Sequence, residues 1–379
     1  MRVGVVRETG AGERRVALVP QGAARLRTAG LEVVVQRGAG LSAEFTDTAY
    51  EEVGATLVDT ADAVCAGADL VVRVGRPTPE EVQLLRPAAV LIGLLQPSAS
   101  ADLLELLAGR GVTAVSLERM PRIARAQSMD VISSQSSVSG YKAAVLGAAS
   151  LGKFFPMMMT AAGTIPPARV LVMGAGVAGL QAIATARRLG AVVQGYDIRP
   201  AAKEQVESLG ATFVSPQVTG NTETTGGYAT ELSQDAQERE RQSILRAVES
   251  ADVVITTALI PGRRAPILVT EQMVASMAPG AVIVDIAAEA GGNCELTQPG
   301  ETVIAHGVTV IGPLNLPSTL AVHSSQMFSR NMTTLIEYLV RDGQLALDMD
   351  DLIVGECCVT HGGEVRHGLG RVQLVAARA

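Results

Sequence analysis

The sequence predicts an α/β protein that folds as two doubly wound parallel-sheet domains, Rossmann-like in type, with a cleft between them. Three observations support this fold class. The 379 residues exceed what one hydrophobic core usually organises. Short apolar runs alternate with helical stretches in two separate sets along the chain. One run of the second set leads into a G-x-G-x-x-G turn.

The first set of apolar runs occupies roughly the first 120 residues, in keeping with the size of one domain. Helix-like segments lie between the runs, and this alternation indicates a parallel sheet covered on both faces. The predicted strands are Val3 to Val6, Glu32 to Gln36, Leu70 to Val74, Val90 to Leu94, and Val112 to Ser116.

A second set of apolar runs predicts six strands, which is enough for a full dinucleotide-binding sheet. A Gly- and Ala-rich stretch from Val138 to Leu151 precedes them and is predicted as a closely packed helix and hinge element. The predicted strands are Arg169 to Met173, Val192 to Tyr196, Ala211 to Val214, Asp252 to Thr256, Ala281 to Asp285, and Val308 to Ile311.

After Pro317, apolar residues at helical spacing predict a further helix from about Ser318 to Arg341. If this helix and the tail pack back on the first domain, the second domain is an insertion. We therefore expect a discontinuous N-terminal α/β domain of residues 1–130 and 320–379. A Rossmann domain of residues 131–319 would be inserted between its two segments.

Composition and charge exclude several classes of protein. With 47% hydrophobic and 18% charged residues, the chain is neither disordered nor a coiled coil. A net charge of −7 without any Lys or Arg run longer than two argues against nucleic-acid binding. Four cysteines without C-x-x-C spacing predict neither a disulfide framework nor a metal site, and they suit a reducing compartment.

The sequence predicts a cytoplasmic protein without direct membrane insertion. The charge at Arg2 stands too early for a signal peptide. Two uncharged stretches, 170–186 and 302–329, contain the glycine turn or several Pro, Asn, His and Ser residues, which would leave polar groups unsatisfied in hydrocarbon. The chain ends at Ala379 without a hydrophobic span.

The glycine turn is the strongest functional motif. Gly174 permits the tight turn, Gly176 lets a diphosphate approach the backbone, and Gly179 lets the following helix pack on the strand. Asp197 follows about twenty residues later, where a carboxylate accepts hydrogen bonds from ribose hydroxyls. This acid favours NAD(H) over NADP(H), because it would repel a 2′-phosphate. Arg199 could accept that phosphate, or it is a solvated charge at a helix start.

A polar segment from Arg122 to Ser133 lies where the first set of strands gives way to the second. Arg122 and Asp130 could form an ion pair that holds a loop, while Gln127 and Ser133 offer uncharged hydrogen-bonding groups to a carboxamide or a ribose. An ordinary capped loop is the alternative interpretation.

The run from Arg122 to Tyr141, with Met173 to Gly179 and Thr256 to Pro261, resembles the NAD(H)-binding component of proton-translocating nicotinamide nucleotide transhydrogenases. The resemblance covers essentially the whole chain. In that family the matching loop holds the nicotinamide end of NAD(H), and Gln127 matches a residue that reaches toward the partner's nucleotide. The resemblance therefore implies catalytic-site roles for Arg122, Gln127, Asp130 and Ser133.

The resemblance also implies which residues contact the nucleotide. Gly227 and Tyr228 match a segment that closes over bound nucleotide, although a surface tyrosine in a long loop is the alternative for Tyr228. No metal site is implied. The implied cofactor-binding residues are Gly174, Ala175, Gly176, Val177, Gly179, Asp197, Ile198, Arg199, Gly227, Tyr228, Gln242, Ala258 and Leu259.

By the same resemblance, the chain is a homodimeric peripheral subunit that binds NAD(H). Its partners would be membrane-spanning and NADP(H)-binding subunits, with NADP(H) held by the partner. Hydride would pass directly between the two nicotinamides, so no acid or base is required. The complex would couple this transfer to proton translocation and hold the chain at the cytoplasmic membrane.

Two alternatives stay open. Alanine dehydrogenases resemble the chain at Arg14 to Ala17 and across the nucleotide domain, but their catalytic Lys and His correspond here to Arg73 and Gln96, and an Asp of theirs to Glu289. Imine chemistry needs a proton-transfer group within reach of the substrate, so this alternative is disfavoured. The other alternative is a non-catalytic NAD(H) sensor, whose site residues would look the same.

Overall fold

The computed structural model describes residues 1–214, 234–260 and 263–366. Its contacts divide the chain into two compact units. The first unit joins Met1–Gln135 with the chain from Pro317 onward, and the second is Ser136–Leu316. These divisions lie a few residues from the expected ones at 130/131 and 319/320.

The elements are numbered in chain order. The strands are β1 (Arg2–Val5), β2 (Glu32–Gln36), β3 (Thr56–Val58), β4 (Leu70–Val72), β5 (Val90–Gly93), β6 (Thr113–Ser116), β7 (Met158–Thr160), β8 (Gly163–Ile165), β9 (Arg169–Met173), β10 (Val192–Tyr196), β11 (Thr212–Phe213), β12 (Val253–Thr256), β13 (Val282–Asp285), β14 (Thr302–Ala305), β15 (Val308–Ile311), β16 (Val340–Arg341), β17 (Gln344–Leu345), β18 (Cys358–His361) and β19 (Glu364–Val365). The helices are α1 (Pro20–Thr28), α2 (Asp47–Glu52), α3 (Ala61–Gly67), α4 (Pro79–Leu84), α5 (Ala101–Gly109), α6 (Val131–Ser150), α7 (Val177–Arg188), α8 (Ala202–Ser208), α9 (Gln234–Ser250), α10 (Glu271–Ser276), α11 (Ala321–Leu339) and α12 (Leu352–Cys357).

The first unit contains an eight-stranded sheet in the order β19-β18-β6-β5-β4-β1-β2-β3. Strands β1 to β6 pair in parallel, while β18 runs antiparallel beside β6 and β19 runs antiparallel beside β18. All five predicted strands of this sheet form. Strand β3 was not predicted because it is an edge strand without a fully buried side chain, so its sequence shows no continuous apolar run.

The helix predicted after Pro317 forms as α11, preceded by a 3-10 turn over Leu316–Leu320. Its side chains Phe328, Met332 and Leu335 are fully buried in one cluster with Val3 and Val5 of β1. The return segment of the chain therefore completes the core on one face of the first sheet.

The second unit contains a seven-stranded sheet in the order β11-β10-β9-β12-β13-β15-β14. The six predicted strands are all parallel, and only β14, which was not predicted, runs antiparallel beside β15. Alternate residues of the strands face two different cores. One core includes α6, α7 and α8, and the other includes α9 and α10. The prediction of doubly wound, Rossmann-like parallel sheets is confirmed.

Helix α6 starts at Val131, earlier than predicted. A Cβ built on Gly140 would lie 2.0 Å from the carbonyl oxygen of Ala178, at the start of α7. The small residues of α6 thus permit a very close approach to the first turn of α7. None of the helices in the described ranges has the length and apolar character that a membrane span needs.

Candidate functional site

The glycine turn lies between β9 and α7 and has the geometry that its motif predicts. Gly174 has φ +101°, a left-handed conformation that favours glycine. A Cβ on Gly179 would lie 1.7 Å from the Gly174 carbonyl oxygen, so any larger residue there would separate α7 from the turn. A Cβ on Gly176, in contrast, would meet no atom within 4 Å. The backbone at Gly176 is therefore open to an incoming group.

Helix α7 begins at this open side, with Gly176 as its N-cap residue. The N-terminus of a helix of this length presents free N–H groups and the positive end of its dipole to an anion. Ala175 is buried, whereas Val177 is 43% exposed beside the turn. The open Gly176 backbone and the helix N-terminus together fit the diphosphate of a dinucleotide.

Asp197 follows β10 and closes the turn from one side. Its Oδ2 accepts a hydrogen bond from the Ala175 N–H at 2.7 Å, and its Oδ1 accepts one from the Arg199 N–H at 2.9 Å. The Arg199 side chain donates from Nε to Oδ1 at 2.9 Å and from Nη2 to Oδ2 at 3.0 Å. Arg199 is therefore the ion-pair partner of Asp197 rather than a solvated helix-start charge. Ile198 between them is 79% exposed.

The environment of Asp197 keeps it ionised. Burial raises the pKa of this carboxyl, but hydrogen bonds from the Arg199 side chain, the Arg199 backbone and the Ala175 N–H outweigh that effect. Its pKa consequently lies below the ordinary value for an aspartate. The same pairing raises the pKa of Arg199.

The loop after β12 forms the other side of the turn. Thr257 donates from Oγ1 to the Gly174 carbonyl at 3.0 Å. The buried Asn293 side chain bridges both backbone groups of the next residue: its Oδ1 accepts from the Ala258 N–H, and its Nδ2 donates to the Ala258 carbonyl, each at 2.9 Å. The adjacent Leu259 is 56% exposed.

Asp285, at the end of β13, holds Asn293 in this position. Its fully buried carboxylate accepts from the Asn293 N–H at 2.7 Å, the Cys294 N–H at 3.0 Å and the Thr297 hydroxyl at 2.6 Å through Oδ2. Neither Asp285 nor Asn293 is among the site residues expected from the sequence. An acid at the carboxyl end of a buried parallel strand, close to a Gly-Gly-Asn turn, is the signal that could have identified them.

The polar segment predicted to hold a nicotinamide lies in the first unit. It forms a 3-10 helix over Ala124–Met129, here called the Gln127 turn, followed by α6. Arg122 and Gln127 are exposed. Asp130 caps α6, since its Oδ1 accepts from the Ser133 N–H at 2.9 Å and its Oδ2 from the Ser133 hydroxyl at 2.5 Å.

The ion pair considered between Arg122 and Asp130 does not form among the described residues, because the Asp130 carboxylate is used by the start of α6. Gln242 lies exposed on α9. Gly227 and Tyr228 lie outside the described residues, and their predicted roles stay predictions. The described ranges hold no cluster of side chains that could bind a metal ion.

Arg73 has no access to a substrate in this structure. It is 3% exposed and lies between two carboxylates, 3.6 Å from Glu8 Oε2 and 2.7 Å from Glu81 Oε2. Burial raises the pKa of Glu8, a trend that Arg73 and the N–H groups of Val74 and Gly75 oppose but do not reverse. Arg73 therefore balances two internal acids.

The second unit, with its parallel sheet, glycine turn and acid after the following strand, defines a protein of the Rossmann dinucleotide-binding class. Two family models match the sequence: "Alanine dehydrogenase/PNT, N-terminal domain" over residues 4–139 and "Alanine dehydrogenase/PNT, C-terminal domain" over residues 143–368. The chain belongs to the alanine dehydrogenase/PNT family.

Within this family the chain is more similar to transhydrogenases than to alanine dehydrogenases. It is 46% identical over 376 residues to an NAD(P) transhydrogenase subunit alpha protein of Rhodospirillum rubrum, covering 97% of this chain and 98% of that protein. A crystal structure of transhydrogenase from Sinorhizobium meliloti matches with a TM-score of 0.88 and 43% identity, over 96% of this chain and all of that one. Alanine dehydrogenase of Mycobacterium tuberculosis is 33% identical over 96% of this chain and 94% of its own length. The resemblance inferred from the sequence is confirmed.

Proposed function

We propose that this chain is the NAD(H)-binding subunit of a proton-translocating transhydrogenase. It binds NAD(H) at the glycine turn and presents the nicotinamide to NADP(H) held by a partner subunit, so that hydride passes directly between the two nucleotides. The observation that carries the proposal is the match over nearly the full length of a transhydrogenase alpha-subunit protein at 46% identity.

The chemistry of the site suits a role in positioning. When bound, NADH supplies the hydride from C4 of its nicotinamide, and the protein needs to orient the ring and exclude water. Arg122, Gln127 and Ser133 offer a guanidinium, an amide and a hydroxyl to the polar groups around that ring. Asp130 fixes the Ser133 hydroxyl through the 2.5 Å hydrogen bond that caps α6.

The nucleotide-binding half of the proposal rests on the second unit. Gly174, Gly176 and Gly179 form the open turn for the diphosphate, and Asp197 is the ribose acceptor that favours NAD(H) over NADP(H). The loop carrying Ala258 and Leu259 borders this turn through the Thr257 hydrogen bond.

The geometry around Arg73 weighs against an alanine dehydrogenase activity. A catalytic lysine has to reach the substrate and exchange a proton. Here the corresponding cation is an arginine, buried and paired with Glu8 and Glu81. Gln96, at the position that corresponds to a catalytic histidine, has no titratable group.

The proposal extends to the assembly. The chain acts as a homodimer, peripheral to the cytoplasmic membrane, and the membrane-spanning and NADP(H)-binding subunits complete the transhydrogenase. Partner subunits are required for turnover, because this chain supplies only the NAD(H) site.

The test combines the purified chain with an NADP(H)-binding transhydrogenase partner. NADH carrying deuterium at the transferred C4 position is mixed with an NADP analogue, and the reduced analogue is analysed by mass spectrometry. Deuterium should appear in the reduced analogue, because direct transfer avoids exchange with water. The chain with L-alanine and NAD should form no pyruvate. Binding of NADH without any transfer would favour the sensor, and pyruvate formation would favour the alanine dehydrogenase.

A further inference from the structure

The Gln127 turn is held by two of its three faces. A 3-10 helix has three residues per turn, so residues three apart share a face. Ala126 and Met129 form the first face, with exposures of 0% and 2%, and pack into the cluster that contains Phe328 and Met332 of α11. The hydrophobic core therefore fixes the depth of the turn.

Arg125 and Ser128 form the second face, and both bind the return segment of the chain. Arg125 Nη1 donates to the Tyr338 hydroxyl at 3.0 Å, and its Nη2 lies 2.8 Å from Asp351 Oδ2. Asn331 Nδ2 donates to the Ser128 carbonyl at 2.8 Å. These contacts flank Gln127 on both sides along the chain.

Asp351 makes the Arg125 contact a fixed one. Its Oδ1 caps α12 by accepting from the N–H groups of Ile353 and Val354, while its Oδ2 accepts from the Tyr338 hydroxyl at 2.8 Å. Burial raises the pKa of Asp351, but the hydrogen bonds from Val354, Tyr338 and Arg125 outweigh it and hold the pKa below its ordinary value. The carboxylate is thus ionised and shared by three elements.

Ala124 and Gln127 form the third face, which is exposed. We propose that Arg125, with its anchors Tyr338 and Asp351, is a positioning residue for Gln127 in hydride transfer. This inference rests on the proposed function. Core packing sets the depth of the turn, and the Arg125 contact sets its rotation, so the two together direct Gln127 outward.

The contact acts on position more than on overall stability. Exposed ion pairs contribute little to folding, and the Arg125 side chain is 51% exposed. A displacement of about 1 Å at a reacting centre, however, can lower a rate on the order of a hundredfold. Loss of the contact should therefore lower the transfer rate without unfolding the first unit.

The experiment uses Arg125→Met, which keeps an apolar stem and removes both contacts. We expect a hydride transfer rate with the NADP(H)-binding partner lower by roughly tenfold or more, with the NADH dissociation constant and the melting temperature nearly unchanged. Amide hydrogen exchange over Ala124–Met129 should become faster, and Arg125→Lys should recover some of the rate. The matched control is Arg25→Met, which breaks the 2.8 Å contact of Arg25 with Glu337, also on α11, and should leave both readouts unchanged.

A double-mutant cycle separates positioning from a general structural role. In a Gln127→Asn background, Arg125→Met should have much less effect on the transfer rate, because the residue that it positions is already altered. Unchanged exchange and rate in Arg125→Met, or fully additive effects in the cycle, would overturn the inference. Failure of the unmodified chain to transfer hydride would contradict the proposed function instead, and the exchange measurement would still report whether Arg125 holds the turn.

Discussion

Arg199 occupies both carboxylate oxygens of Asp197, with contacts of 2.9 Å from Nε and 3.0 Å from Nη2. The N–H groups of Ala175 and Arg199 take the other acceptor positions. Since a carboxylate has about four such positions, a ribose hydroxyl can bind Asp197 only if the Arg199 side chain gives one up. That side chain is 60% exposed, so its displacement is easy.

The first prediction concerns this pair. Asp197→Ala should weaken NADH binding by roughly 1–3 kcal/mol, because the ribose hydroxyls and the Ala175 N–H lose their acceptor. Arg199→Ala should weaken it less, since the carboxylate remains. Titration calorimetry with NADH and NADPH measures both effects, and the unmodified chain should prefer NADH. Equal losses in the two variants would mean that Asp197 acts by holding Arg199, and equal affinities for the two nucleotides would contradict the assigned preference.

The second prediction separates two glycines of the turn. Gly179→Ala should destabilise the second unit by about 1–3 kcal/mol or more, because its Cβ would lie 1.7 Å from the Gly174 carbonyl oxygen. Gly176→Ala has no atom within 4 Å of its new Cβ and should leave stability unchanged while NADH binding is lost. Thermal unfolding and NADH titration of both variants check this. Tight NADH binding by Gly176→Ala would show that the diphosphate lies elsewhere.

The third prediction concerns the buried charges around Arg73. Arg73→Ala leaves Glu8 and Glu81 without their cation and should cost about 3–5 kcal/mol of unfolding free energy at neutral pH. The pKa of Glu8 is already raised by burial and should rise further, because Arg73 opposes that rise. A group with a raised folded-state pKa stabilises the fold at low pH and loses that contribution as pH rises.

The deficit of Arg73→Ala should therefore be smaller at pH 5 than at pH 8, as measured by urea denaturation at both values. Arg37→Ala is the matched control, since Arg37 pairs with several acids of the same unit but is 49% exposed. It should have little effect at either pH. A pH-independent deficit in Arg73→Ala would mean that the two carboxylates do not stay buried.

The sequence predicts the elements whose own residues carry the signal. Strand β9 and the glycine turn are local patterns, and both form as expected. Partners distant in sequence are different. Nothing near Arg73 reveals Glu8, 65 positions earlier, and nothing near Ala258 reveals the bridge from Asn293. Such pairs depend on which strand ends the sheet order brings together, and the pattern of a single strand does not contain that information.

The fourth prediction tests the role of Gln127 itself. Gln127→Asn shortens an exposed side chain by one methylene and leaves the contacts of Arg125 and Ser128 in place. The diphosphate and ribose contacts at the glycine turn and Asp197 should also survive, so the affinity for NADH should stay nearly constant. Because Gln127 orients the nicotinamide relative to the partner's nucleotide, its shortening should lower the transfer rate on the order of a hundredfold.

The measurement pairs a pre-steady-state transfer rate, taken with the NADP(H)-binding partner, with an NADH dissociation constant. The same substitution at Gln21, exposed on α1 of the same unit, is the control and should change neither quantity. A variant that loses rate at constant affinity has lost an interaction specific to the transition state. If the rate and the affinity fall by the same factor, Gln127 only binds NADH, and its role in aligning the two nicotinamides is wrong.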